Sequence, residues 1–167
     1  MKYLLAYVFL FISYVLPAQD MSYKQIDKIV RQTCDSVSGG DGGWQLFVED
    51  RLLILIADQS HNRMRIISPI ADRQSLEDVE LENALIANFH SALDVKYAIS
   101  EGVLWSAFIH PLKELSDHQL RDAVSQVYSA AETFGTSYQS TELFFPGSQP
   151  PKKETKTKPK NSKIKKL

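Results

Sequence analysis

Trp44–Val48 (WQLFV), Leu52–Ala57 (LLILIA) and Arg63–Ile67 (RMRII), then Leu81–Leu93 (LENALIANFHSAL), then Lys96–Ser100 (KYAIS) and Val103–Ile109 (VLWSAFI) decide the fold. The first three runs are short and rich in β-branched, aromatic and aliphatic residues, which reads as strands. LLILIA has no polar alternation, so it is expected to be a central strand buried on both faces. In RMRII, Met64 and Ile66 fall on one face and Arg63 and Arg65 on the other, because successive strand side chains point to opposite sides. Pro69 is expected to end that strand, since it cannot donate to a ladder. Leu81, Leu85, Ile86, Phe89 and Leu93 recur at helical spacing and predict a helix with that apolar stripe, N-capped by Ser75. Glu101-Gly102 separates the last two strands as a two-residue hairpin turn.

A helix flanks this block on each side. Ser22 with Gln25, and Ser116 with Gln119, are capping boxes. Ile26, Ile29, Val30 and Val37 give the first helix its apolar face, and Gly39-Gly40 and Gly42-Gly43 are expected to stop it. Leu120, Val124, Val127, Tyr128 and Ala131 give the last helix its stripe, with Leu115 and Leu120 placed for a hydrophobic staple and Gly135 for C′. Tyr138–Phe145 is expected to add a short edge strand. The predicted class is α+β, an antiparallel sheet of about five strands with three helices in the order α-β-β-β-α-β-β-α.

Residues 1–18 are set apart. Lys2 precedes the apolar run Tyr3–Leu16, and Pro17-Ala18 offers a cleavage site, the layout of a secretory signal peptide. The run is shorter than the ~20 residues of a spanning helix. Residues 19–147 form the expected domain, exported to the periplasm or the medium. Residues 148–167 form a lysine-rich tail without apolar periodicity, expected to be disordered. Charge divides along the same line. Ten Lys+Arg against nineteen Asp+Glu leave Gln19–Pro151 at −9, whereas eight Lys and one Glu give Lys152–Leu167 +7. So acidic a body argues against nucleic acid as a partner. The tail offers a contact to an anionic membrane surface.

Motifs for chemistry are sparse. His61, His90, His110 and His118 lack zinc-ligand spacing, and no metal or other cofactor is expected. Cys34, the only cysteine, reads as a small buried apolar residue and rules out an intrachain disulfide. Gly39-Gly40-Asp41-Gly42-Gly43 lacks the Gly-Lys-Ser/Thr ending of a phosphate loop and reads as a turn. There is no Gly-x-Ser-x-Gly elbow, and no catalytic residue is assigned. What remains is aromatic and basic. Trp44 and Trp105 lie on strands, and Arg63 and Arg65 share a face. The plain reading makes the tryptophans core and the arginines a solvated face paired with nearby carboxylates. The other makes Arg63, Arg65, Trp105 and Phe89 partner-binding residues.

RMRIISP at Arg63–Pro69, Ala87-Asn88-Phe89, and LWSAFIHPL at Leu104–Leu112 resemble the small bacterial proteins related to type III secretion chaperones, sometimes labelled sensory transduction regulators. The likeness covers most of Ser22–Phe145. The resemblance implies acidic cytoplasmic dimers that hold a partner segment in extended form, a setting that the signal sequence does not share. Together with the signal sequence it implies an exported, non-enzymatic homodimer that recognises a polypeptide, by strand addition or on a sheet or helix surface. The competing function classes are an envelope enzyme built from scattered carboxylates and histidine, and a membrane-surface protein held by its tail.

Overall fold

The computed structural model describes residues 20–143; the predicted signal peptide and the lysine-rich tail lie outside the described residues. Helix α1 (Tyr23–Thr33) begins at the predicted capping box, where Gln25 N donates to Ser22 Oγ and Ser22 N donates to Gln25 Oε1. It ends four residues before Val37. Cys-Asp-Ser-Val-Ser favours extended backbone over helix, and Asp35 ties that segment to the next hairpin by accepting from Glu49 N at 2.6 Å. Val37 therefore lies on an unpredicted strand, β1 (Ser36–Gly40), and Cys34 is the half-buried helix cap. Burial and the neighbouring Asp35 push the Cys34 thiol up to about 11.

Strands β2 (Gly43–Val48), β3 (Arg51–Asp58) and β4 (Arg63–Asp72) follow as a meander. The turn Asp41-Gly42 joins β1 to β2 with φ of 50° and 103°, both in the left-handed region. A Cβ at Gly42 would lie 2.9 Å from Ala57 O, so the turn needs glycine there for space as well as for φ. Strand β4 does not stop at Pro69. The register shifts between Pro69 and Ala71, and the strand runs on to Asp72. A bulge accommodates the missing N–H that would interrupt a regular ladder.

Helix α2 (Asp78–His90) starts later than predicted. Arg73–Ser75 forms a 3₁₀ turn capped by Asp72, and the helix cap is Glu77, paired with Glu80 in a capping box. Its buried strip is Asn83, Ala84 and Ala87, not the predicted leucine–phenylalanine stripe: Leu85 is 68% and Phe89 81% exposed. Small residues let α2 approach strand β5 (Lys96–Ser100) closely. There the Asn88 amide donates to Tyr97 O (3.1 Å) and accepts from Tyr97 N (2.7 Å). The hairpin to β6 (Val103–His110) turns at Glu101-Gly102 as predicted, both at positive φ. Helix α3 (Asp117–Glu132) opens with the predicted Ser116–Gln119 box, and Leu115 and Leu120 are both buried.

The result is α+β, with one fully antiparallel sheet ordered β1-β2-β3-β4-β6-β5. It has six strands rather than five; β1 is the addition. Of Tyr138–Phe145, residues 138–143 form no strand, and 144–145 lie outside the described residues. Ser91 Oγ donates to Tyr138 O at 2.7 Å and Ser140 Oγ to Ala92 O at 2.9 Å, which holds that segment to the end of α2.

One side of the sheet packs the core. Leu46, Leu53, Leu55, Ile66 and Leu104 meet Ile26 and Val30 of α1 and Leu120, Val124 and Val127 of α3. Trp44 is buried there, its ring edge-on to Tyr23 and its Nε1 donating to Asp27 Oδ1 at 3.1 Å. Buried hydroxyls are satisfied too: Ser106 Oγ donates to Val127 O and Tyr97 Oη to Ala130 O. Trp44→Ala should therefore cost about 3–5 kcal/mol, the usual range for deleting a buried aromatic. Chemical denaturation monitored by circular dichroism measures it.

Candidate functional site: the open face of the sheet

An antiparallel sheet sends alternate side chains to opposite faces, so a strand that is apolar throughout makes two apolar faces. Strand β3 is such a strand. Leu53, Leu55 and Ala57 point to the helices; Leu52, Ile54 and Ile56 point away. The helices meet the first side and the edges of the sheet. Trp44 reaches α1, Ser106 reaches α3 and Tyr97 reaches both α2 and α3. Among the described residues no helix lies on the second side. The expectation that β3 is buried on both faces is thus corrected: Ile56 is 38% exposed.

The register spreads this apolar surface across four strands. Phe47 of β2 pairs with Leu52, and Ile54 with Ile67 of β4. Ile67 in turn faces Ala107 of β6, and Pro69 faces Trp105. Ile109, 67% exposed, stands beside Arg65, which has Ile56 on its other flank. Trp105 is half-buried, its Nε1 donating to Ser100 O at 3.2 Å. It belongs to the open face and not to the core. At the β1–β2 end, where Gly43 carries no side chain, a hollow of about 320 Å³ opens beside Ser38, Gln45 and Ile54.

Three of the four predicted binding residues, Arg63, Arg65 and Trp105, are brought onto this face; Phe89 is not. Neither arginine has the carboxylate partner expected of a solvated face. Arg63 donates only to its neighbour's carbonyl, Asn62 O, at 2.9 Å. Arg65 makes no hydrogen bond or ion pair among the described residues. Two carboxylates could approach from this side. Asp58 accepts from Ser60 and His61, which holds it well below the usual carboxylate range, and Asp72 caps the turn before α2. Phe89 sits on α2 with Leu85 one turn away, a second exposed apolar patch.

Each sheet edge is engaged at one point. Arg31, held by Asp27 at 2.8 Å, directs its guanidinium to Val37 O and Gly39 O on the outer edge of β1. Asn88 occupies the outer edge of β5 at Tyr97.

Elsewhere, a cleft of about 410 Å³ is lined by Glu49, Arg51, Pro69, Tyr128 and Glu132. Its polar groups satisfy one another: Tyr128 Oη donates to Glu49 at 2.6 Å, and Arg51 pairs with Glu132 at 2.5 Å. The bond to Glu49 pushes the phenol up to about 12, so Tyr128 stays protonated in any neutral medium. The cluster ties the β2–β3 turn to α3. The Asp58–His61 pair lies on an exposed turn, and among the described residues no three His, Cys, Asp or Glu side chains are grouped to hold a metal ion.

Phe47, Ile54, Ile56 and Ile109 were not singled out by sequence. Their signal was present in the unbroken apolar run of β3, but it was read as burial on two sides.

No family model matches the chain, and no curated protein does. Solved structures do. A chain of the HopA1–SchA chaperone–effector complex superposes with a TM-score of 0.53 at 15% identity, over 66% of this chain and 90% of that one. A chain from the structure of the Yersinia pestis type III secretion chaperone SycH with a stable fragment of YscM2 superposes with a TM-score of 0.51 at 12% identity, over 67% and 98%. The fold is therefore the one found in type III secretion chaperone structures.

Because Arg63, Arg65 and Trp105 lie outside the core, their loss should barely affect folding. Arg63→Gln with Arg65→Gln should change stability by less than ~0.5 kcal/mol, and Trp105→Ala by about 1 kcal/mol, far below the value for Trp44. Urea-denaturation midpoints compare the three directly.

Proposed function

We propose that this is an exported, non-enzymatic protein that binds a polypeptide on the open face of its sheet. The observation that carries the reading is the uncovered apolar band Phe47–Ile54–Ile56–Ile67–Trp105–Ile109. Contiguous exposed apolar surface of this kind marks contact sites in soluble proteins. The fold supports it, since the superposed structures are, by their own description, a chaperone with an effector and a chaperone with a protein fragment. The apolar run after Lys2 supports export. With Arg31 set against Val37 O and Gly39 O and Asn88 against Tyr97, part of each edge is covered, whereas the face is open across four strands. Capture from an envelope extract tests the reading. The wild-type protein should retain a specific polypeptide that Ile109→Asp, at the most exposed position of the band, does not retain. Equal recovery by both would move the site elsewhere.

The second apolar patch suits a different role. Leu85 and Phe89 lie one turn apart on the outer side of α2, and a two-fold axis there would pack each pair against its copy. The proposal is a homodimer through α2. Both residues are exposed in the protomer, so Leu85→Glu or Phe89→Glu should leave the fold and melting temperature intact while converting dimer to monomer. Sedimentation equilibrium reads this. A wild-type protein that stays monomeric into the high micromolar range would exclude the dimer.

A further inference from the structure

The open face is not uniformly apolar. Arg65 stands between Ile56 and Ile109, and Arg63 lies two residues away on the same side of β4. Residues two apart on a strand are separated by ~6.6–7 Å. The other arginines of the described residues are engaged: Arg31 with Asp27, Arg51 with Glu132, Arg73 with Asp78, and Arg121 with Thr33 and Gln32. On a body of charge −9, the two guanidinium groups that no side chain engages, among the described residues, both lie on the one face without a cover.

From this juxtaposition we infer that the open face selects an extended polypeptide segment whose alternate side chains, the set turned toward the sheet, intersperse carboxylates with apolar residues, the carboxylates pairing with Arg63 and Arg65 while the apolar residues cover Ile56, Ile109 and Trp105. The inference rests on the reading that this face is the binding surface, and adds the chemistry of what it takes. An arginine presents a fork of donors that matches a carboxylate in two places, and beside apolar neighbours such a pair is shielded from water. Charge also separates the possible occupants. The lysine-rich tail has the same sign as the two arginines. A second copy docked face to face would bring four guanidinium groups together, while Asp58 and Asp72, the carboxylates on the face's own strands, are already engaged. An anionic membrane would meet the arginines but also the acidic remainder of the body.

The test uses three fluorescein-labelled peptides of equal length that repeat valine-serine-X-serine, with X aspartate, asparagine or lysine, so that valine and X share one side of the extended chain, titrated with the full mature protein by anisotropy. The aspartate peptide should bind best and weaken as salt rises; the lysine peptide should not bind. Arg63→Gln with Arg65→Gln should weaken the aspartate peptide about tenfold, two partly shielded ion pairs together being worth about 1.4 kcal/mol, and leave the asparagine peptide unchanged. Arg63→Lys with Arg65→Lys should recover part of the loss. If the asparagine or lysine peptide binds as well as the aspartate peptide, the charge selection is wrong. The face itself still stands in that case, provided Ile109→Asp abolishes binding of all three. If no peptide binds, or Ile109→Asp changes nothing, both the inference and the binding face fall. Binding to phosphatidylglycerol vesicles that the arginine-to-glutamine pair abolishes would overturn the inference in favour of a lipid surface.

Discussion

Strand β3 sets the problem that the rest of the molecule answers. A strand with Leu, Leu, Ile, Leu and Ile in succession makes both faces of its sheet apolar, and each face favours removal from water by roughly 25 cal/mol per Å². The described residues supply three helices: α1 and α3 cover one side, and α2 joins the same core while meeting the edge at β5. Trp44 follows the covered side into the core, and Trp105, on the other parity, does not. The same alternation that builds the core thus leaves its counterpart open.

The edges are handled differently from the face. A sheet edge exposes backbone N–H and C=O groups that invite pairing with another chain. Here side chains from the helices meet those groups. Asn88 presents an amide, a donor and an acceptor side by side, to Tyr97 on β5. Arg31 covers carbonyls of β1 and is itself fixed by Asp27, which also accepts from Trp44. Capping from the first and second helices costs little, since the groups would otherwise be solvated. It leaves lateral pairing at those positions dependent on displacing a side chain, whereas the apolar face needs no displacement at all.

Much of this was legible in the sequence, and the failures share a cause. Capping boxes at Ser22 and Ser116, the Glu101-Gly102 turn and the Met64/Ile66 against Arg63/Arg65 alternation are local devices, set by residues within a few positions of one another. They were read correctly. Strand β1 was missed because Val37 keeps helical spacing with Ile26 and Val30, and only the hairpin with β2 reveals which period it obeys. Pro69 was read as a stop because a bulge is a property of two strands and not of one. On α2, hydrophobicity pointed to Leu85 and Phe89, while closeness of approach favoured Ala84, Ala87 and the Asn88 amide. The stripe was rotated because packing against an edge strand rewards small size over apolar area.

The candidate site was half legible for the same reason. Arg63, Arg65 and Trp105 could be named because arginine and tryptophan are conspicuous, but not placed together, since Pro69 opposite Trp105 and Ile109 opposite Arg65 are facts of register. What sequence could not count was layers. A strand apolar on both sides is compatible with a sandwich of helices or with one uncovered face, and the difference lies in where three helices of modest length end up. Once they are assigned to one side, the apolar residues of the other cease to be surplus core. They become the surface with the greatest unsatisfied tendency to be covered, and the unpaired guanidinium groups among them indicate what kind of surface would do it.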